Sequence, residues 1–238
     1  MIWWIIAALC AYIAKGLTGF ANTLLFSTIL SFGNNNISIS PVELILGYPT
    51  NVIMAWKERK SIQWDMCIPL SILMLIGNIP GVFMLKAVNP QLVKIIFGFV
   101  ISFIGIEMLL NEKKVKKEKH SKTVMVFIGL LAGVMCGLYG IGALLAVYLG
   151  RVMEDTKAFK ANLCVVFLTE NTFRIFAYTY LGIITADIVK QAVVLIPCMV
   201  IGLFVGMKCC EFLDEKVVKK IIIVTLIISG ISLIVSNL

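Results

Sequence analysis

Long stretches of apolar residues alternate with short polar ones along the whole chain. The apolar runs are Ile2–Phe32, Pro41–Trp56, Met66–Leu85, Leu92–Leu110, Val124–Gly150, Ala161–Leu181, Ile188–Met207 and Val217–Val235. Most approach the roughly 20 residues that carry a helix across a bilayer. The pattern predicts an all-α polytopic membrane protein with eight apolar segments. Its longest polar loop, Asn111–Lys122, is too short to fold by itself.

The pattern is written twice. Gly16-Leu17-Thr18-Gly19-Phe20 recurs as Gly137-Leu138-Tyr139-Gly140-Ile141. Asn51 is answered by Asn171, Asp65 by Asp187, Gly77-x-x-x-Gly81 by Gly202-x-x-x-Gly206, and the stretch 89–94 by 214–219. Repeats of this kind in an apolar chain are a mark of secondary transporters, whose sites lie between the repeats. The chain divides into a first repeat over 1–112, a basic linker over 113–122 and a second repeat over 123–238, in one integrated membrane domain.

Runs 1 and 5 are longer than one crossing needs, and each carries glycines near its middle (Gly16 and Gly19; Gly137, Gly140 and Gly142). Either they are long kinked helices, or each dips in and returns as two half-helices. Charge separates the two. If all eight runs simply cross, the loop cations divide almost evenly between the two faces. If runs 1 and 5 return, the second half inverts relative to the first, and sixteen loop cations share one face against Lys86, Lys94 and Lys190 on the other. Cationic loops hold the cytoplasmic side, so the returning arrangement is preferred. It puts the amino terminus outside and the loops at 57–65, 111–122, 150–160 and 208–220 inside. The two repeats are then inverted, with segments 1 and 5 broken or re-entrant at Gly-rich turns.

Composition agrees with lipid as the solvent: 60% of residues are hydrophobic and the mean hydropathy is +1.00. The net charge of +8 belongs to the inside loops and implies anionic lipid rather than nucleic acid as a partner. The first run has no basic stretch ahead of it and is too long for a cleavable signal. The seven cysteines form no C-x-x-C pair and read as small hydrophobes. The single histidine, His120, falls in the lysine-rich loop. No cofactor or metal is implied. No H-E-x-x-H, P-loop or G-x-S-x-G motif is present, which argues against an enzyme.

Candidate chemistry sits at the breaks. The second arm of each broken run starts at about Phe20–Asn22 and Ile141–Ala143, and a helix start offers free N–H groups and positive dipole. Two such starts meeting near the midplane make an anion site. Thr18, Gly19 and Asn22 belong to the first break, and Tyr139, Gly140 and Gly142 to the second. Asn51 and Asn171 have amides that can donate to an anion or bond between helices. Arg174, deep in run 6, either clamps an oxyanion or pairs with Glu170 one turn earlier. Glu170 balances it or carries a coupling proton. Lys15 borders the first break and either adds positive potential or snorkels to an interface. Only Glu170 reads as a deep carboxylate, which disfavours a cation or metal permease.

The chain resembles the TauE/SafE family of membrane permeases, the sulfite exporter or toluene-sulfonate uptake permease family. The resemblance rests on Gly16-Leu17-Thr18-Gly19-Phe20, on Pro41 and the run through Asn51, and on Ser61-Ile62-Gln63-Trp64-Asp65. In the second half it rests on Gly137-Leu138-Tyr139-Gly140-Ile141-Gly142 and Thr185-Ala186-Asp187. It implies transport of a small sulfur-containing anion such as sulfite, a sulfonate or sulfoacetate. A carboxylate or other small organic acid as cargo, a non-transporting membrane scaffold, and assembly into a homo-oligomer stay open on sequence grounds.

Overall fold

The computed structural model describes residues 1–31, 39–84, 122–139, 142–153 and 155–235, with further helical positions scattered between 95 and 110. The stretch 89–94, the linker 113–121 and Gly140 lie outside the described residues, as does the Tyr139 side chain. The described chain is helical, with no strand. Its helices are α1 (Ile2–Thr18), α2 (Asn22–Ser31), α3 (Ile39–Lys57), α4 (Trp64–Met84), α5 (Lys122–Tyr139), α6 (Ala143–Val152), α7 (Thr156–Tyr180), α8 (Ala186–Phe212) and α9 (Glu215–Val235).

Run 1 is broken between α1 and α2. Gly19 takes φ +95°, a left-handed conformation open to glycine, and its N–H closes on the Lys15 carbonyl at 2.7 Å. The Thr18 hydroxyl steadies the turn, donating to the Ala14 carbonyl at 2.8 Å and accepting from the Ala21 N–H at 3.4 Å. Run 5 is broken between α5, which ends at Tyr139, and α6, which starts after Gly142.

The packing pairs the two halves crosswise. α1 lies chiefly against α8, and α4 against α5. Glycines allow both contacts. A Cβ on Gly202 would sit 2.8 Å from the Leu9 carbonyl, and one on Gly206 2.2 Å from the Ile13 carbonyl. In the other pair, Gly77 would meet the Leu130 carbonyl at 2.2 Å and Gly81 the Val134 carbonyl at 2.5 Å. Leu9 and Ile13 stand to Leu130 and Val134 at one constant offset, as Gly77 and Gly81 stand to Gly202 and Gly206. α3 packs on α7 in the middle. The helical residues Gly98 and Gly105 lie against Gly230 and Ile227 of α9.

By length and apolarity, two described helices qualify as membrane spans, Trp64–Gly81 and Ala186–Phe212. The breaks shorten runs 1 and 5, and buried Glu43, Asn51, Glu170 and Arg174 make α3 and α7 too polar for the same criterion. One ion pair ties distant loops together. Lys57, ending α3, meets Glu211, near the end of α8, at 2.5 Å. Asn162 of α7 is wholly buried and holds the entry to α4, accepting from the Gln63 N–H at 2.7 Å and donating to the Ser61 carbonyl at 3.2 Å.

Candidate functional site

A small cavity lies where α1, α2, α3, α5, α6 and α7 converge. Its volume is about 20 Å³, room for a water or two. Asn22, Thr23 and Leu24, the first turn of α2, line one wall, and Gly142 and Ala143, the start of α6, line another. First-turn N–H groups have no acceptor within their own helix, so two helix starts, one from each half, border the same space. Asn51, Asn171, Lys15, Glu170 and Arg174 complete it. Thr18 and Gly19 do not line the cavity. Thr18 spends its hydroxyl on the turn, and Gly19 packs toward Lys160.

Arg174 is 2% exposed. Its Nη2 donates to the Ser40 hydroxyl at 3.0 Å and the Tyr178 hydroxyl at 3.1 Å, and the guanidinium lies 5.1 Å from the centre of the Tyr178 ring. Its Nε stands 3.5 Å from Glu170 Oε1, close enough for charge attraction but without hydrogen-bond geometry. The contact with Glu170 is therefore one of charge, while the hydrogen bonds of Arg174 go to neutral hydroxyls. Glu170 also accepts from Asn78 Nδ2 at 3.3 Å. Lys15 does not snorkel. It is 1% exposed and reaches the Gly47 carbonyl at 3.5 Å. Asn51 is buried with its Oδ1 unpartnered; rotation of the amide would present Nδ2 at that place instead.

Glu43 corrects the reading that Glu170 alone is deep. It is buried, lines the cavity and accepts a hydrogen bond from Asn22 Nδ2. The Tyr12 hydroxyl reaches its backbone carbonyl at 3.5 Å. Position alone hides Glu43, because it is the third residue of its apolar run, where a carboxylate ordinarily meets the interface. A helical-face reading finds it: Glu43, Gly47 and Asn51 recur at intervals of four and share one stripe of α3. The cavity is thus lined by two cations, Lys15 and Arg174, and two carboxylates, Glu43 and Glu170. With all four ionised, the side chains sum to zero, whereas the sequence reading had counted Glu170 as the one carboxylate beside Lys15 and Arg174. Among the described residues no group of three metal-ligating side chains occurs.

An all-helical chain whose central cavity is bordered by broken helices and buried charges has the form of a membrane transport protein. The model of the sulfite exporter TauE/SafE family matches residues 4–233, and the chain belongs to that family, whose members are membrane transporters of sulfur-containing anions. No match was found among curated proteins or solved structures.

Proposed function

We propose that the chain is a secondary permease that moves a small sulfur-containing oxyanion by alternating access, with its site at the repeat interface near the bilayer midplane. The observation that carries this reading is the meeting of two helix starts, one from each half, on a cavity that also holds Lys15, Arg174, Asn51 and Asn171. N–H groups, amides and a guanidinium suit an oxyanion's oxygens. A volume near 20 Å³ is too tight for such an anion, so loading requires the helices to part, as an occluded intermediate would.

The inverted topology enters on the same footing. The Lys57–Glu211 ion pair supports it, because eight simple crossings would put those two residues on opposite faces of the membrane. The crosswise glycine contacts support a pseudo-twofold axis in the membrane plane. A non-transporting scaffold has no use for a cavity at the glycine breaks.

Charge balance supports proton coupling. An anion entering a site that already sums to zero leaves uncompensated negative charge in a low-dielectric place. Protonating a carboxylate removes that cost and frees its cation for the anion. Glu170 faces Arg174 on its own helix, Asn78 of α4 and Cys136 of α5; Glu43 faces Lys15 and Tyr12 of α1, Asn22 of α2 and Arg174 of α7. The direct test is flux into proteoliposomes of a panel holding sulfite, sulfoacetate, methanesulfonate and simple carboxylates, with and without an inward proton gradient. Sulfur oxyanions should move fastest and the gradient should accelerate them. Flux confined to carboxylates would transfer the reading to organic acids, and no flux of any anion would end it. Arg174→Ala should abolish the flux while the protein still inserts into the membrane.

A further inference from the structure

A second, wider cavity of about 590 Å³ opens at the end of the bundle where Lys57 meets Glu211. Gly16 of α1, Lys160 of α7 and Cys210 of α8 are among its lining residues. Gly16 directly follows Lys15, which lines the central cavity. The last turn of α1 therefore separates the two cavities, and Lys160 sits at that partition. It is 6% exposed, and its Nζ donates to the Gly16 carbonyl at 3.2 Å and to Cys210 Sγ at 3.0 Å. Its stem fills the space beside Gly19, where a Cβ would lie 3.1 Å from Lys160 Cγ. Among the described residues no carboxylate pairs with it.

We propose that Lys160 is a second anion-binding position on the path between the central site and this vestibule, and that it gates the step between them. The ligand is the same small oxyanion, so the inference rests on the permease reading. Among the described residues this buried ammonium is held by a carbonyl and a thiol, which give it hydrogen bonds but no charge partner. An anion at the partition supplies that partner, and it does so at the edge of a wide cavity rather than deep in protein. As the anion passes, the ammonium leaves the Gly16 carbonyl, the last turn of α1 loses its cap, and the partition between Lys15 and the vestibule loosens. Lys15 and Lys160 then act as successive stations with α1 between them. A cap alone would explain the bond to Gly16, since lysine commonly closes the end of a helix, but it would not place the cation at the inner end of a 590 Å³ room.

Modification of Cys210 by a membrane-impermeant maleimide, in a Cys209→Ser background and located by peptide fragmentation, tests the idea with the full-length protein. Sulfoacetate should slow modification of Cys210 in the wild type. Lys160→Arg keeps the charge and should keep the protection. Lys160→Met keeps the stem, and should lose the protection and cut sulfoacetate flux by about tenfold or more, the scale expected when a buried charge loses its partner. If wild-type liposomes move sulfoacetate but sulfoacetate does not protect Cys210, or if Lys160→Met transports at the wild-type rate, Lys160 is a helix cap only and the inference fails while the permease reading stands. If no panel anion moves, both fall together. The wild-type protection measurement decides the matter even if Lys160→Met does not fold.

Discussion

A single side chain can hold a junction or tune a site, and the two kinds differ in how far they can be read from sequence. Asn51, Asn171, Glu170, Arg174 and Lys15 stand out as polar residues inside apolar runs, and all five line one cavity. Glu43 was hidden because distance along a run is a poor guide to depth when the neighbouring run breaks beside it. Its partner, Asn22, begins α2, the second arm of the broken run. Glu43→Gln and Glu170→Gln should each flatten the acceleration of anion flux by an inward proton gradient, measured as the ratio of initial rates with and without it. A ratio unchanged in both variants would remove these carboxylates from coupling. Asn162, by contrast, has a structural task. Asn162→Ala leaves the Gln63 N–H and Ser61 carbonyl without their side-chain partner, and should cost about 1–3 kcal/mol, seen as a lower midpoint for thermal unfolding in detergent with anion affinity retained in the folded fraction.

Among elements, the break between α1 and α2 was legible because its cause is local. Gly19 alone can adopt φ +95° without strain, and the α2 start at Asn22 falls within the window set by the glycine spacing. Gly19→Ala should destabilise the break by about 1–2 kcal/mol from backbone strain, with added crowding against Lys160, and should slow transport more than it lowers expression. What the sequence left unread is which helix each glycine face meets. Repeats reveal that Gly77/Gly81 and Gly202/Gly206 do matching work, but carry no label for the partner. The structure assigns α5 to the first pair and α1 to the second. Gly206→Leu and Gly77→Leu should each push the paired backbones apart, since even a Cβ there would lie 2.2 Å from a carbonyl oxygen. Loss of a monodisperse peak on size-exclusion chromatography measures the effect. Retention of that peak in both variants would mean the helices do not approach this closely.

Over the whole molecule, the proposed topology rests on loop charge. The apolar runs by themselves allowed two threadings, and the distribution of lysine and arginine favoured the one in which the loops at 57–65 and 208–220 share a face. The Lys57–Glu211 pair has that geometry. A Lys57→Cys, Glu211→Cys double variant should be joined by a short bis-maleimide and should react with an impermeant thiol reagent from one side of the membrane only; labelling of the two positions from opposite sides would restore the simple eight-crossing threading. The crosswise packing has a consequence for biosynthesis. α1 leaves the ribosome well before the surface made to receive it, Gly202 and Gly206 of α8, is translated. Until then the flank of α1 that meets Gly202 and Gly206 is unclad. A message cut short before α8 therefore yields a product that quality control can recognise at its first helix, and two half-length genes should rescue one another only when expressed together.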